Sequence, residues 1–271
     1  MSLVSTDWLI NNNQKVKILD CSWHMPNTNR DSYKEYAKEH IKNAIFFDLD
    51  QNSDQNSDIP HMLPKKKMWE KIVSSMGISN KDEIVIYDNS NVISSCRCWY
   101  TFIYFGHDPQ LVHVLDGGLK KWKLENKSLT NIIPIISGTN YKSKEKNELV
   151  KNKEQVDRNI IEKKFIIVDA RSKDRFKGKV PEPRPNVRSG SIPNSYCIPF
   201  GEVINKNHTF KDHSEILLKF NNIIGSKLPQ EVVFSCGSGI TAAVLALAYS
   251  LINNKYDPII YDGSWAEYGK I

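Results

Sequence analysis

Three short segments of this sequence occur twice, in the same order and at almost the same spacing. They are found at residues 17–20 and 166–169, at 83–88 and 231–236, and at 114–118 and 259–263. The first two pairs lie 149 and 148 residues apart, and the Asp-Gly dipeptides of the third pair, at 116–117 and 262–263, lie 146 residues apart. Chance similarity would not preserve both order and spacing, so the three matches predict a duplicated domain.

Each half of the chain alternates short β-branched runs with longer amphipathic segments. The predicted strands cover residues 16–19, 84–87 and 111–115, then 165–168, 232–235 and 258–261, and two of the predicted helices cover 68–76 and 214–224. This alternation is typical of α/β domains, in which helices flank both faces of a parallel sheet. We therefore expect two tandem domains, 1–137 and 148–271, joined by a polar linker over 138–147.

Composition excludes several classes of protein. The net charge of +6 comes from 37 Lys and Arg against 31 Asp and Glu. The lysine patches contain no interleaved aromatic residues, so they indicate solvated surface and no nucleic-acid partner. The longest apolar stretch, residues 242–247, is too short to span a membrane, so no membrane partner is expected. Five scattered cysteines form no disulfide framework and no targeting segment is visible, which together favour the cytoplasm.

The segment around Cys236 combines the features of a reactive thiol. An apolar strand ends at this cysteine, a five-residue loop with two glycines follows, and an apolar helix is expected from Ala242. Glycines let successive backbone N–H groups turn inward round the sulfur, and the positive end of the helix favours an anion there. Both effects stabilise the nucleophilic thiolate, although a buried structural cysteine before a turn is the alternative.

The first half lacks a sulfur at the corresponding position. Asp88 stands where Cys236 stands in the second half, and residues 89–94 contain no glycine. We therefore expect one active site per chain and a first loop that does not curl into a ring of N–H donors. The remaining cysteines lie in apolar surroundings and predict packing roles, with no metal site: Cys21, Cys96, Cys98 and Cys197. Trp265 is expected in the core.

Several motifs resemble one known family. The resemblance runs from residue 3 to the end of the chain, and its strongest parts are the cysteine loop at 236–241 and the Pro-Glu-Pro-Arg-Pro motif at 181–185. Further parts lie at residues 46–50, 61–64, 105–107, 176–178 and 261–265. On these motifs the chain resembles the two-domain rhodanese-type sulfurtransferases, most closely the 3-mercaptopyruvate sulfurtransferase branch.

The resemblance implies a persulfide cycle. The Cys236 thiolate would take sulfur from 3-mercaptopyruvate, release pyruvate, and pass the sulfur to cyanide or to an acceptor thiol such as thioredoxin. No cofactor is implied, and the family is mostly monomeric. The family positions that bind the donor carboxylate are held here by Arg175 and Arg184, whose planar guanidinium groups suit bidentate binding. The loop residues that would surround the donor are Gly237, Gly239, Ile240 and Thr241.

The resemblance also implies a Ser–His–Asp arrangement for proton transfer. It maps to Ser238, two residues after the nucleophile, to His61 in a loop of the first half, and to Asp50, which would orient the imidazole. From the residues alone, a lone loop histidine such as His61 is more often an ordinary surface residue, and only the resemblance favours a catalytic role. Arg175 is equally a surface helix charge, and Arg184 a salt-bridge partner in a rigid loop.

Alternative activities remain at this stage. A thiosulfate sulfurtransferase would share the fold and the persulfide, but its compact dianionic donor favours cationic side chains in the loop, and Gly237 and Ile240 are neutral. A cysteine-dependent phosphatase would need an arginine where Ala242 stands. A non-catalytic binding module of the same fold would be expected to lack Cys236.

Overall fold

The computed structural model of the chain describes residues 2–227 and 231–271. These residues form two compact units, each with its own five-stranded parallel sheet. The first unit comprises Met1–Gln55, Leu63–Lys146 and Lys206–Thr209. The second comprises Asn56–Met62, Asn147–Asn205 and Phe210–Ile271.

The first unit alternates strands and helices along the chain. Its strands are β1 (Leu3–Val4), β2 (Lys17–Asp20), β3 (Ala44–Phe46), β4 (Ile84–Tyr87) and β5 (Val112–Leu115). Its helices are α1 (Thr6–Asn12), α2 (Ser32–Lys38), α3 (Lys66–Ser75), α4 (Ser95–Tyr104) and α5 (Gly118–Leu124), with 3-10 turns at Pro26–Thr28 and Pro109–Leu111. The strands lie in the order β1-β5-β4-β2-β3. Leu9, Ile18, Val85 and Leu119 belong to its core.

The second unit repeats this plan. Its strands are β6 (Val150–Lys151), β7 (Ile166–Asp169), β8 (Tyr196–Cys197), β9 (Val232–Ser235) and β10 (Ile259–Tyr261). Its helices are α6 (Lys153–Glu162), α7 (Lys173–Phe176), α8 (His213–Ile224), α9 (Ile240–Ile252) and α10 (Ser264–Tyr268), with 3-10 turns at Asn147–Leu149 and Phe200–Val203. The order β6-β10-β9-β7-β8 is that of the first sheet, which confirms the predicted duplication and fold class.

The central strands and the helix after β9 are apolar on all sides. All four residues of β9 are fully buried, as central strands of a parallel sheet covered on both faces must be. The stretch 242–249 of α9 is also fully buried, which explains why this helix has no polar face. Asp169 and Ser235 are register partners at the carboxyl ends of β7 and β9. Residues that follow these two strands therefore meet at one edge of the sheet.

The predicted strands match the structure to within one residue at each end, and two of them, β4 and β9, match it fully. The edge strands β1, β3, β6 and β8 were not predicted, because runs of two or three residues are too short to show a period. Helix α9 begins at Ile240, two residues before the predicted start. The expectation for its start was wrong because Ile240 and Thr241 were assigned to the loop.

The segment predicted as a linker is attached to the first unit. The N–H groups of Thr139 and Lys144 donate to the carbonyls of Ser74 and Phe105, at 2.9 Å each, and Tyr141 is buried. The limits 1–137, 138–147 and 148–271 stay predictions. Within the described residues, no helix combines the length and the apolar character that a membrane crossing requires.

Candidate active site

Cys236 follows β9 directly and is held through its backbone. Its N–H donates to Ser264 Oγ at 3.2 Å, and its carbonyl accepts from the Trp265 N–H at 2.9 Å. The carbonyl of Gly237 accepts from the Ala266 N–H at 2.9 Å. These bonds tie the cysteine loop to the start of α10, so the position of the sulfur is fixed by two strand-to-helix connections. Only 2% of Cys236 is exposed.

The loop after Cys236 is short and leads straight into a helix. The whole connection between β9 and α9 contains four residues, 236–239. Gly239 adopts a left-handed conformation with φ of 80° as the N-cap of α9. A side chain at this φ would be strained, so glycine suits the turn. A 13-residue helix begins at the next residue, and its positive end favours a thiolate or a bound anion at the loop. Ile240 and Thr241 form its first turn.

Arg175 and Arg184 converge on Gly237. A methyl group placed on this glycine would lie 3.2 Å from Arg175 Nη2 and 3.6 Å from Arg184 Nη1. Arg175 lies on the short helix α7, and Arg184 lies in the proline-rich loop that follows it. Two planar cations thus lie beside the residue that follows the nucleophile, which is the arrangement a small carboxylate needs.

Ser238 connects one of these arginines to His61. Its hydroxyl oxygen accepts from Arg184 Nη2 at 3.1 Å and lies 2.9 Å from His61 Nδ1. Arginine only donates, so the hydroxyl hydrogen is available to His61 Nδ1, which suits the tautomer with its proton on Nε2. Both Ser238 and His61 are buried.

His61 lies in Asn56–Met62, a segment of the first half of the sequence that belongs to the second unit. The backbone of His61 has a φ of 62°, in the left-handed region. Asp50 belongs to the first unit, where both carboxylate oxygens accept from Trp23 Nε1 at 3.0 Å. The role of Asp50 in orienting His61 stays a prediction.

A buried ion network beside the site was missed by the sequence analysis. Arg171, two residues after the end of β7, binds both Asp169 and Glu182, and Glu182 in turn binds Arg175. The side chains of Arg171 and Glu182 are 1% and 3% exposed. The sequence offered two signals for this network. Glu182 lies between two prolines, and Arg171 follows the strand residue Asp169 by two positions. Neither pattern is specific, because charged residues in such loops are usually solvated.

The other cysteines lie in surroundings that suppress their reactivity. Burial raises the pKa of the Cys197 thiol to about 12 and raises the pKa of the Cys21 and Cys96 thiols well above the usual range. Thiols with raised pKa stay protonated at neutral pH and are poor nucleophiles. Cys96 and Cys98 lie on α4, as predicted, and both are fully buried.

The loop of the first unit is filled by its own carboxylate. Asp88 accepts from the N–H groups of Ser90 at 2.8 Å and Ser95 at 3.1 Å. Two N–H groups at this seven-residue connection therefore bind the Asp88 carboxylate although residues 89–94 contain no glycine. That the connection does not curl into a ring of N–H donors stays a prediction. Among the described residues, no group of three or more His, Cys, Asp or Glu is arranged to hold a metal ion.

The chain matches known proteins over its whole length. The model of the rhodanese-like domain matches twice, at residues 5–125 and 152–270. Thiosulfate/3-mercaptopyruvate sulfurtransferase 1, mitochondrial, from Arabidopsis thaliana is 38% identical, over 98% of this chain and 75% of the relative. The 3-mercaptopyruvate sulfurtransferase of Mus musculus is 35% identical, over 98% and 91%. The crystal structure of SseA from Escherichia coli, described among 3-mercaptopyruvate sulfotransferases, superposes with a TM-score of 0.85 at 28% identity, covering 98% and 99%. Two matching domains and relatives above 30% identity establish that this chain belongs to the rhodanese-like sulfurtransferases.

Proposed function

We propose that the protein takes sulfur from 3-mercaptopyruvate as a persulfide on Cys236 and passes it to an acceptor thiol or to cyanide. The observation that carries this proposal is the convergence of Arg175 and Arg184 on Gly237. A carboxylate bound by both guanidinium groups would lie beside the nucleophile, with its sulfur-bearing carbon within reach of Cys236. The relatives named for this substrate support the same donor.

The transfer step balances without a cofactor. The Cys236 thiolate attacks the donor sulfur, a sulfur–sulfur bond forms, and the carbon–sulfur bond breaks with its electron pair moving to the methylene carbon. The resulting pyruvate enolate takes up the proton released by the donor thiol. We propose that Ser238 and His61 carry this proton, since their 2.9 Å contact connects the loop to a group that exchanges protons near neutral pH.

The second half of the cycle regenerates the thiolate. An acceptor thiolate attacks the outer sulfur of the persulfide, and Cys236 leaves as the thiolate that the N-terminus of α9 stabilises. Within the loop, the N–H groups round Gly237 and Gly239 and the first turn at Ile240 and Thr241 would hold the transferred sulfur. Asp50 would act on His61 as an orienting carboxylate.

Thiosulfate is the second candidate donor. The two arginines would also attract a compact dianion, and one relative carries both substrates in its name. Residues 237–241 contribute no cationic side chain, however, so the charge available to a dianion at the loop itself is limited. We therefore propose 3-mercaptopyruvate as the preferred donor.

A comparison of donors tests the proposal. Purified protein is given 3-mercaptopyruvate or thiosulfate, with cyanide or reduced thioredoxin as acceptor, and both pyruvate and transferred sulfur are measured. We expect a clear preference for 3-mercaptopyruvate and one added sulfur on the peptide that contains Cys236. Cys236→Ser should lose transfer from both donors while keeping the fold, because serine cannot carry a persulfide. Sulfur on any other cysteine would refute the assignment.

We propose further that the chain acts as a monomer in the cytoplasm, with thioredoxin as a physiological acceptor. Five free cysteines suit a reducing compartment, although a relative named as mitochondrial shows that members of the family differ in location. Sedimentation of the purified protein and fractionation of cells that express it measure these two properties directly.

A further inference from the structure

Glu182 is a buried carboxylate shared by two arginines. Its Oε1 accepts from Arg171 Nη1 at 2.8 Å and from Arg175 Nε at 3.2 Å, and its Oε2 accepts from Arg175 Nη2 at 2.5 Å. The two bonds to Arg175 form a fork, which fixes both the position and the plane of that guanidinium group. Only 3% of the Glu182 side chain is exposed, so water does not compete for these bonds.

Arg171 anchors Glu182 and is itself held by several partners. Its Nε and Nη2 donate to Asp169 Oδ2 at 3.0 and 2.6 Å, and Nη2 also donates to the Gly190 carbonyl at 2.8 Å. Its guanidinium group lies over the Trp265 ring, 4.6 Å from the centroid. Asp169 is the last residue of β7, and the Trp265 N–H donates to the Cys236 carbonyl. Arg171 is therefore attached through these two residues to the sheet and to the cysteine loop.

This arrangement determines what Arg175 presents to a donor. Its Nε edge is occupied by Glu182, and Nη2, the atom nearest Gly237, keeps one hydrogen outside the fork. The charges of Asp169 and Glu182 balance those of Arg171 and Arg175. Arg175 thus supplies directed N–H groups beside Gly237 while adding little net positive charge there.

We infer that Glu182 is a positioning residue that also selects the sulfur donor. It holds Arg175 in the orientation that a carboxylate requires and cancels its charge, so that a singly charged donor is favoured over a dianion. The inference rests on the proposed function, since it concerns a sulfur donor bound beside Gly237. Glu182 acts through Arg175 and does not itself touch the donor.

Two substitutions separate orientation from charge. Glu182→Gln removes the negative charge and turns an amide NH₂ towards guanidinium N–H groups, so the fork is lost and the site gains one positive charge. We expect kcat/KM for 3-mercaptopyruvate to fall about tenfold, mainly through KM, while that for thiosulfate is unchanged or raised. Glu182→Asp keeps the charge but is one methylene shorter, so both donors should weaken alike and their ratio should stay near that of the wild type.

A double substitution tests whether Glu182 acts through Arg175. In an Arg175→Gln background, Glu182→Asp, which keeps the charge, should not raise KM for 3-mercaptopyruvate further, because no guanidinium group is left for it to orient. Glu202→Gln is the matched control, because Glu202 also binds two cations of the same unit, Lys173 and Lys219, at 2.8 and 2.7 Å. The control should leave both kinetic constants unchanged.

The outcomes distinguish this inference from the proposed function. If the wild-type protein transfers sulfur from neither donor, the proposed function fails. If it is active and Glu182→Gln leaves the donor ratio unchanged, or lowers both activities equally together with the melting temperature, Glu182 is structural and the inference is wrong. If Glu182→Gln does not fold, Glu182→Asp is compared in the wild-type and Arg175→Gln backgrounds. An increase in KM that persists without Arg175 overturns the inference.

Discussion

Gly237 follows the nucleophile and carries no side chain, so two arginines can approach it closely. Arg175 lies on α7 and Arg184 in the loop after it, yet their Nη2 and Nη1 atoms lie 3.2 and 3.6 Å from the point where a side chain at 237 would begin. The glycine is used here for space, since it is not among the glycines with positive φ. Ser238, the next residue, ties Arg184 in place through its hydroxyl.

A methyl group at position 237 should weaken donor binding with little effect on stability. In Gly237→Ala, the 3.2 Å approach of Arg175 Nη2 forces this guanidinium group, which Glu182 holds, to move by a few tenths of an ångström. We expect KM for 3-mercaptopyruvate to rise by on the order of fivefold to tenfold, since small misplacements of binding groups cost rate and affinity. Gly201→Ala is the control, because a methyl group there meets no atom within 4 Å. Unchanged kinetics in Gly237→Ala would mean that the donor does not bind between these arginines.

At the scale of elements, two corresponding strand–loop–helix connections, one in each unit, hold different chemical groups. In the second unit, β9 leads through four residues into α9, and the loop holds a sulfur. In the first unit, β4 leads through seven residues into α4, and the loop holds the carboxylate of Asp88. The nearby guanidinium of Arg30 is already bound to Glu35 and to the Asn89 carbonyl. Asp88 and Arg30 thus find their hydrogen-bond partners within the protein.

Placing a cysteine in the first connection should not create a second active site. Asp88→Cys, made in a Cys236→Ser background, should take up no sulfur from 3-mercaptopyruvate, because Arg30, which binds to this loop, is already engaged by Glu35 and the Asn89 carbonyl. Mass spectrometry after donor treatment measures the persulfide. Asp88→Asn, which keeps an oxygen acceptor for Ser90 or Ser95, controls for folding. Sulfur on position 88 would show that the loop alone is sufficient for loading.

At the scale of the whole molecule, each unit has its own sheet and core, and their buried charges differ. The second unit pairs its buried carboxylates with arginines, as Asp169 and Glu182 show. The first unit buries Asp20 at the end of β2, where Ser22 Oγ donates to its carboxylate at 2.5 Å. Burial raises the pKa of Asp20 to about 6, and burial also raises the pKa of Asp88. The ionised forms of both groups therefore oppose folding.

The contribution of Asp20 to the stability of the first unit should fall as the pH rises. The pKa of Asp20 is near 3.8 in the unfolded chain and about 6 in the folded one, so the folded state binds more protons between these values. Below pH 4 the group costs nothing, and above pH 6 it lowers the free energy of unfolding by about 3 kcal/mol. Asp20→Asn should raise this free energy at pH 7.5 by about 1–3 kcal/mol and reduce its decline between pH 4 and 6.5.

Calorimetry across this pH range measures the effect of Asp20→Asn. Asp31→Asn is a suitable control: Asp31 is exposed, caps α2, and has a pKa lowered by its hydrogen bonds to Lys34, so the same change should bring no gain at pH 7.5. If Asp20→Asn is no more stable than the wild type at pH 7.5 while retaining its fold, the Asp20 carboxylate is not the source of the pH dependence.

Patterns that repeat locally were enough to predict most of the fold. Strands β4 and β9 are continuous β-branched runs, and the repeat at an offset near 148 identified two copies of one plan before any contact was known. The cysteine loop was also predictable, since strand, cysteine, glycines and helix follow one another directly. Short edge strands such as β1 and β6 could not be recognised, because two residues have no period and depend on pairing with β5 and β10.

The contacts of the site were decided only by the tertiary structure. Sequence determined which residues carry reactive groups, because thiol, guanidinium and imidazole chemistry belongs to residue type. It did not determine that His61 meets Ser238, 177 residues away, or that Glu182 holds Arg175 while Arg171 holds Glu182. These arrangements arise where parallel strands end together, since the sheet brings to one edge residues that lie far apart along the chain. From the sequence, a loop carboxylate such as that of Glu182 is expected to be exposed to solvent. It is a buried ion-pair partner only because the folded chain encloses it.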